Sequence, residues 1–327
     1  MTRQTAIAVL ISMLAMGACA APGNSPRTQS PTASSLSPVP TVPGWASKGV
    51  AAIIDFGKKP ITSITADETG VWVRVGYGDI AHIDPASNAV IATLNPGFTQ
   101  YGNVRIGAGG VWSTDFDHNL VMRIDAEKNK IVAQIAVGQN PEGLTVTDDT
   151  VWVANHRGGS ISRIDPATNT VAQTLVIGPE GASGPKGIVI AGGDLWTPVP
   201  NLGAVLRIDP ASGKVVRSFA FDDPGGVLAS GDIVYVFAAG TLSQINVATN
   251  VVTPVEVGEH IPGMFADGSA WAVDGMRLWR LDAHTFKPLK SWQIAESDIG
   301  FGQLAFAGGA VWVAFEGGRI VRVDVGG

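Results

Sequence analysis

The chain has 327 residues, a formal net charge of −6 and a single cysteine, Cys19. One cysteine cannot form an intramolecular disulfide, so packing and strand pairing must hold the fold together. The sequence carries no basic stripe, and an acidic chain of this kind is not expected to bind nucleic acid. Binding proteins, enzymes and assembly scaffolds remain open as classes.

The first 18 residues have the form of a secretory signal peptide. Arg3 precedes an apolar stretch from Thr5 to Ala18, which is shorter than the ~20 apolar residues of a membrane span. Cys19 follows small residues and resembles the acylated cysteine of a bacterial lipobox, with Met16 in place of the usual Leu. We predict a lipoprotein-type signal over residues 1–18 and a membrane anchor through lipid on Cys19. An uncleaved anchor and an ordinary secretory signal are the alternatives.

Residues 19–47 are rich in Pro, Ser and Thr and contain few large apolar groups. Such a segment cannot bury enough apolar surface to offset the entropy of ordering it. We therefore predict a disordered tether over 19–47 and a folded domain over 48–327. The predicted location is that of an exported, membrane-anchored lipoprotein facing the periplasm or the extracellular space.

The domain repeats one phrase seven times, most clearly as VWVANHRGGSISRIDPATNTVAQTLVIG over residues 151–178. The residue closing its third element recurs every 36 to 44 positions, at Asp84, Asp125, Asp165, Asp209, Asn246, Asp282 and Asp324. A period of about 40 residues built from short strands is typical of a β-propeller with one blade per repeat. The predicted fold is all-β: a seven-bladed β-propeller with four-stranded blades.

Residues that recur in every unit are assigned to structure. Each second strand carries an aromatic residue, at Trp72, Trp112, Trp152, Trp196, Tyr235, Trp271 and Trp312. Stacked blades need such bulky residues to share a core. Asp84, Asp165 and Asp209 precede Pro-Ala and suit the first position of a hairpin turn, so we do not expect them to be catalytic. The arginine before the Ile-Asp step is predicted to hydrogen-bond at the blade edge.

The last unit lacks an outer strand, because the chain runs from Asp324 only to Gly327. Residues 50–56 align with residues 131–137, which form the outer strand of the second unit. We predict that this N-terminal segment completes blade seven. Pairing it there closes the ring and leaves blade seven without a missing strand.

The unit VWVANHRGGSISRIDPATNTV and its weaker copies over residues 49–327 resemble the YVTN-repeat, or YncE-like, family of seven-bladed propellers. That resemblance implies an exported protein with a binding role. The Trp-containing strands are also similar, more weakly, to streptogramin B lyase-type propellers. This second resemblance implies an enzyme with His and Glu residues near a Mg²⁺ ion on one face.

Candidate site residues lie on the loops that a propeller gathers on one face, since its strands are committed to packing. The ligand-binding candidates are Asp115, Asp117, His118, Asn140, Glu142, Asn155, His156, Arg157, Glu259, His260 and Asp274. If the protein is an enzyme, His118, His156 and His260 are the catalytic candidates. His82 and His284 are assigned to structure. No metal ligand is assigned and no cofactor is expected, except a divalent cation in the enzyme case.

The sequence favours a protein that binds a small-molecule ligand or an envelope protein through these loops. Two alternatives stay open: a metal-assisted lyase or lactonase, and a scaffold for assembly of envelope proteins. We expect His118 and His156, on neighbouring blades, to lie closer to one another than either lies to His260.

Overall fold

The computed structural model describes residues 40–44, 46–97, 102–181, 184–258, 260–297 and 302–326, which form seven four-stranded antiparallel sheets. These sheets are the blades of a β-propeller, so the predicted fold class is confirmed. The predicted signal peptide, Cys19 and most of the predicted tether lie outside the described residues. Within the described ranges, no helix is long and apolar enough to cross a membrane.

The strands follow one another in chain order, apart from β1 (Val50–Asp55). Blades one and two contain β2 (Ile61–Ala66), β3 (Val71–Val75), β4 (Asp79–Ile83), β5 (Val90–Leu94), β6 (Val104–Gly107), β7 (Gly110–Asp115), β8 (Leu120–Asp125) and β9 (Lys130–Ala136). Blades three and four contain β10 (Pro141–Val146), β11 (Val151–Asn155), β12 (Ser160–Asp165), β13 (Thr170–Val176), β14 (Val189–Ala191), β15 (Asp194–Val199), β16 (Ala204–Ile208) and β17 (Val215–Ala220), with a 3₁₀ turn at Pro200–Leu202. Blades five to seven contain β18 (Pro224–Ser230), β19 (Ile233–Ala238), β20 (Thr241–Asn246), β21 (Val252–Val255), β22 (Met264–Ala266), β23 (Ser269–Val273), β24 (Arg277–Asp282), β25 (Pro288–Gln293), β26 (Gly302–Ala307), β27 (Ala310–Phe315) and β28 (Arg319–Asp324).

The ring closes as predicted. Strand β1 pairs antiparallel with β28, in the order β1-β28-β27-β26, with Ile54 opposite Ile320. The backbone N–H of Asp324 also donates to Gly49 O at 2.8 Å. Blade seven therefore joins the two ends of the domain in one hydrogen-bonded sheet.

The chain before β1 also contacts blade seven. Thr41 and Ile53 exchange backbone hydrogen bonds of 3.0 and 2.7 Å on the outer edge of β1. Ser47 Oγ accepts the N–H of Gln293 at 2.7 Å. Contacts with the ring thus begin at Thr41, inside the range assigned to the tether from sequence, because the free edge of β1 offers unpaired backbone groups.

The hydrophobic core lies between neighbouring blades. All five residues of β11 are buried, as expected for a strand that packs on both faces. The recurring tryptophans occupy these interfaces, and Trp72 packs against Val104, Val111 and Ile124 of the next blade. Five of them are 0% exposed: Trp72, Trp112, Trp196, Trp271 and Trp312. Their recurrence is therefore explained by packing.

The third-strand arginines connect one blade to the next. The guanidinium of Arg123 lies over the Trp112 ring at 5.1 Å, and its Nη1 donates to Asn169 Oδ1 at 2.9 Å in the hairpin turn of blade three. Asn169 has the positive φ of 55° that this turn requires. The same contact joins blade four to five through Arg207 and Asn250, and blade seven to one through Arg322 and Asn88.

His82 takes the place of this arginine in blade one. Its ring stacks on Trp72 with centroids 4.0 Å apart, and Nδ1 lies 2.7 Å from Asn129 Oδ1 in blade two. His284 lies in a hairpin turn, where its backbone N–H donates to Asp282 Oδ1 at 3.1 Å. The His82 imidazole is thus held by structural contacts, whereas His284 contributes its backbone to a turn and its side chain is exposed.

The acids before Pro-Ala start hairpin turns. Asp84 Oδ1 accepts the backbone N–H of Ala86 at 2.8 Å, and Asp165 and Asp209 make the equivalent bond to Ala167 and Ala211. The hydrogen bond from the backbone N–H of Ala86 is the largest cause of the lowered pKa of Asp84. These three carboxylates therefore stabilise their hairpin turns by accepting a backbone N–H two residues further on.

Candidate functional site

Antiparallel strands send the second-to-third loops and the outer-to-inner connections to one side of the ring, which we call the top face. The innermost strands, β2, β6, β10, β14, β18, β22 and β26, surround the central channel, and their first residues form its mouth. Ten of the candidate residues lie at or next to these loops. Glu259 lies outside the described residues.

His118 is held by Asp115 on the top face of blade two. Its Nδ1 lies 2.7 Å from Asp115 Oδ2, and its backbone N–H donates to Asp115 Oδ1 at 3.2 Å. The Asp115 side chain, at the end of β7, is 3% exposed, whereas that of His118 is 54% exposed. Because a carboxylate oxygen accepts hydrogen bonds, Nδ1 is the ring nitrogen directed at Asp115, and Nε2 is directed away from it. His118 is therefore an oriented imidazole at the protein surface.

A buried cation lies behind this pair. Arg74 is 0% exposed, and its Nη1 donates to Ser113 Oγ at 3.2 Å and to Thr114 O at 3.0 Å. Burial lowers the pKa of Arg74 to about 10, and the charge of Asp115 acts in the opposite direction. Arg74 is thus protonated at neutral pH and electrostatically coupled to Asp115.

Glu142, His156 and Lys186 form a second group at the mouth, which we call the mouth cluster. Glu142 belongs to β10, His156 follows β11, and Lys186 precedes β14. His156 Nδ1 lies 3.9 Å from Glu142 Oε2, beyond hydrogen-bond distance. The side chains are 15% and 42% exposed, respectively, and the enclosed Nδ1 of His156 has no hydrogen-bond partner. The cluster therefore retains unused hydrogen-bonding capacity.

Burial shifts both titratable partners toward their neutral forms. It raises the pKa of Glu142, against the opposing charge of Lys186. Burial, followed by the charge of Lys186, lowers the pKa of His156, while backbone contacts at Gly184 and Pro185 act in the opposite direction. His156 is therefore neutral at pH 7, and its 3.9 Å contact with Glu142 is not an ion pair at that pH. Shifted pKa values of this kind cluster at functional sites.

Acidification should destabilise the wild-type chain more than the His156→Gln variant. The lowered pKa of His156 means that its contribution to stability is present above the unfolded value near 6.5 and is lost as the pH falls through the folded value. Thermal unfolding at pH 7.5 and 5.5 measures the effect, and both proteins retain Glu142, whose raised pKa acts in the opposite direction. His284→Gln, in an exposed turn, is the matched control. Equal losses in wild type and His156→Gln would contradict the prediction.

Asn140 joins the loops of His118 and His156. Its Nδ2 donates to Phe116 O at 3.0 Å and its backbone N–H to Asn119 Oδ1 at 2.9 Å. Its carbonyl accepts the N–H of His156 at 2.9 Å. The two loops are therefore bonded through one residue.

Three other candidates occupy different settings. Asn155 is the last residue of β11, is 0% exposed and donates to Ser160 and Ser162 inside blade three, so it is not the loop residue that was expected. Its burial follows from the tight approach of the Gly138 backbone, where an added Cβ would lie 2.7 Å from the amide. Asp117 and Arg157 are half-buried in the turns beside His118 and His156.

His260 and Asp274 come together in blade six through Trp279. The His260 ring stacks on Trp279 with centroids 4.0 Å apart at 22°. Trp279 Nε1 donates to Asp274 Oδ2 at 2.7 Å, and Asp274 Oδ1 accepts backbone N–H groups of Met276 and Arg277. The stacked rings of His260 and Trp279 thus form an aromatic surface that includes no residue of the mouth cluster, and Asp274 fixes the Trp279 ring.

The candidate set omitted Lys186, Arg105 and Trp279, although each has a signal in the sequence. Arg105 interrupts the otherwise apolar or small inner strand β6. Trp279 stands in the third strand where the clearest unit has Ser162. Lys186 lies between Pro and Gly, as Glu142 does in the preceding unit, so its signal is equivalence to a candidate residue. For Arg105 and Trp279 the signal is a departure from the repeat.

The described residues do not fit a metal centre of the expected kind. No three His, Cys, Asp or Glu side chains in the described ranges could hold a metal ion together. The candidates meet in pairs, Asp115 with His118 and Glu142 with His156. A cavity of about 390 Å³ on the same face, lined by Asp55, Lys58, Phe315 and Arg319 among others, includes none of the candidate residues.

Comparison with known proteins supports the architecture. No protein-family model matches the chain, and no curated protein matches it. Selenomethionine virginiamycin B lyase from Staphylococcus aureus superposes with a TM-score of 0.68 at 18% identity, covering 83% of this chain and 98% of that chain. A streptogramin B lyase structure gives 0.68 at 15% identity, covering 83% and 96%. A catalytically inactive variant of the Staphylococcus aureus enzyme with quinupristin gives 0.65 at 18%, covering 83% and 98%.

These similarities define the class of protein as a seven-bladed β-propeller with streptogramin B lyase-type structural neighbours. At such identities they show the fold alone. Membership of the YVTN-repeat family stays a prediction.

Proposed function

We propose that this chain is an exported, lipid-anchored propeller that binds a polar ligand at the top-face mouth of its channel. The observation that carries the proposal is the mouth cluster. Glu142 lies at the start of β10, and His156 and Lys186 lie on loops of blades three and four. His156 Nδ1 lies 3.9 Å from Glu142 Oε2, and the charge of Lys186 acts on both side chains.

Within the mouth cluster, one enclosed polar atom lacks a hydrogen bond and lies beside two ionisable side chains. The turn acids and third-strand arginines are matched by backbone or side-chain partners. In contrast, the enclosed Nδ1 of His156 has no partner. A buried polar atom without a hydrogen bond costs free energy, which a ligand that supplies the missing bond would recover. Binding sites are built from a few such convergent polar groups in a concave setting.

Affinity selection tests the proposal. The purified full chain is incubated with a small-molecule extract of the host, unbound material is removed, and retained compounds are identified by mass spectrometry. We expect a compound retained by wild type and by the His284→Gln control, and lost with Glu142→Ala and with His156→Ala. Retention of the same compounds by all four proteins, or of none by wild type, contradicts the proposal.

A second candidate function, a lyase, is favoured by the same pair of side chains. A carboxyl group with a raised pKa beside an imidazole with a lowered pKa is an arrangement suited to giving and accepting protons near neutral pH. The structural neighbours named as lyases share the fold. No group of three His, Cys, Asp or Glu side chains that could hold a metal ion occurs among the described residues.

Quinupristin, the compound in one neighbouring structure, is the probe for this alternative. The full chain is incubated with quinupristin, and its conversion is followed by mass spectrometry. Conversion that disappears with Glu142→Gln and with His156→Ala supports the lyase function for this compound. Unchanged quinupristin contradicts that assignment.

Export and anchoring rest on the sequence before residue 40. Cys19→Ser should release the protein from the membrane fraction without changing its thermal unfolding, because the predicted tether separates lipid from propeller. Fractionation and mass spectrometry of the wild-type N-terminus measure this. A wild-type protein without lipid on Cys19 would refute the anchor.

A further inference from the structure

Arg105 is the second residue of β6, the innermost strand of blade two, which borders the channel. Asn103 O accepts the N–H of Thr114 on β7, so the backbone of the next residue, Val104, points the other way, toward the channel. Arg105 Nη1 donates to Val104 O at 2.8 Å and to Ser63 Oγ at 3.3 Å on the neighbouring blade. The side chain therefore folds over the free edge of β6 into the channel.

Two acceptors fix one side of the guanidinium and leave the other side open. Nη1 donates both of these hydrogen bonds, and neither Nε nor Nη2 is fully enclosed. Because the side chain folds over the free edge of β6, we infer that these two nitrogens face the channel. Their parallel N–H groups are the edge through which arginine holds a carboxylate or phosphate with two hydrogen bonds.

The charge of Arg105 is not balanced by an acid within the described residues. Arg207 pairs with Asp194 at 2.5 Å, Arg319 with Asp55 at 3.3 Å and Arg322 with Asp324 at 2.9 Å. Arg105 makes no ion pair with any described residue, and burial alone lowers its pKa. An unpaired charge in a confined setting favours the entry of a counter-ion.

We propose that Arg105 binds an oxyanion in the channel, through Nε and Nη2, with Ser63 and Val104 O as the positioning groups. The ligand class is a group with at least two oxygens on one centre: the carboxylate of an organic acid, or inorganic phosphate. The proposed site uses none of the three side chains of the mouth cluster, so its test is separate from the test of the proposed function.

Calorimetric titration of the full chain tests the site with sodium phosphate and sodium acetate in separate arms, at constant ionic strength. Sodium chloride is the control salt, because chloride cannot accept in the two-oxygen geometry. We expect saturable binding of at least one oxyanion, weakened tenfold or more by Arg105→Gln. Arg217→Gln, an exposed arginine on outer strand β17, should bind as wild type does. The titration with the lower Kd shows whether the site prefers phosphate or a carboxylate.

Equal oxyanion binding by wild type and Arg105→Gln would overturn the proposal, as would no saturable binding by wild type. Should Arg105→Gln fail to fold, Arg105→Lys decides, because lysine keeps the charge and lacks the parallel N–H pair. We expect Arg105→Lys to lower oxyanion affinity several-fold, and an unchanged affinity in that variant would overturn the two-bond geometry.

Discussion

A variant lacking residues 1–58 should lose most of the stability of the ring, because it lacks β1. Val50, Ala52, Ile53 and Ile54 are buried in blade seven, with Ile54 0% exposed. Burial of a large aliphatic side chain contributes about 1.5–3 kcal/mol, so the three larger residues alone contribute on the order of 6 kcal/mol. That is comparable to the whole stability of a typical domain, about 5–15 kcal/mol. Urea unfolding followed by circular dichroism measures the loss.

The control for this deletion lacks only residues 1–39 and retains both β1 and the Thr41 contact. We expect it to unfold at the wild-type urea midpoint. A 1–58 deletion that unfolds at that same midpoint would show that β1 does not stabilise the ring.

Arg74→Met should be the most damaging single substitution at the top face, with a loss of about 3 kcal/mol in the free energy of unfolding. Methionine keeps the apolar volume but leaves Thr114 O and Ser113 Oγ without their buried donor. It also removes the positive charge that interacts with Asp115.

Arg217→Met, on the exposed surface of β17, is the matched control and should change the free energy of unfolding by less than about 0.5 kcal/mol. Urea titration of both variants at pH 7 measures the difference. Similar midpoints for Arg74→Met and Arg217→Met would mean that the buried guanidinium contributes no net stability.

The architecture could be predicted because each blade needs the same types of residue at the same positions. Every unit must supply a bulky second-strand residue such as Trp112 and a turn acid such as Asp84, so their spacing reports the number of blades. The closing strand was predictable for the same reason, because residues 50–56 align with residues 131–137, which the repeat assigns to the outer strand of blade two.

The contacts of the site were less predictable, because they depend on how different loops meet. The sequence places Asn155 at a position equivalent to Asp115, yet Asn155 is enclosed beneath Gly138 while Asp115 holds the exposed His118. The contact of Glu142 with His156 depends on the irregular pairing of β10 with β11 between Pro141 and Gly143. The contact of Arg105 with Ser63 joins blades two and one. A repeat pattern carries no information about either contact.

If the predicted lipid anchor is present, the position of Thr41 determines where the propeller is attached to it. Because Thr41 pairs with the outermost strand, at Ile53, whatever precedes residue 40 joins the disc at its circumference and not at its axis. A molecule held by its perimeter can present both ends of its central opening to solution, and neither end needs to lie against the surface that carries it. Molecules could then approach Arg105 from either side of the disc, so the direction of approach would be set by the width of the opening at each end.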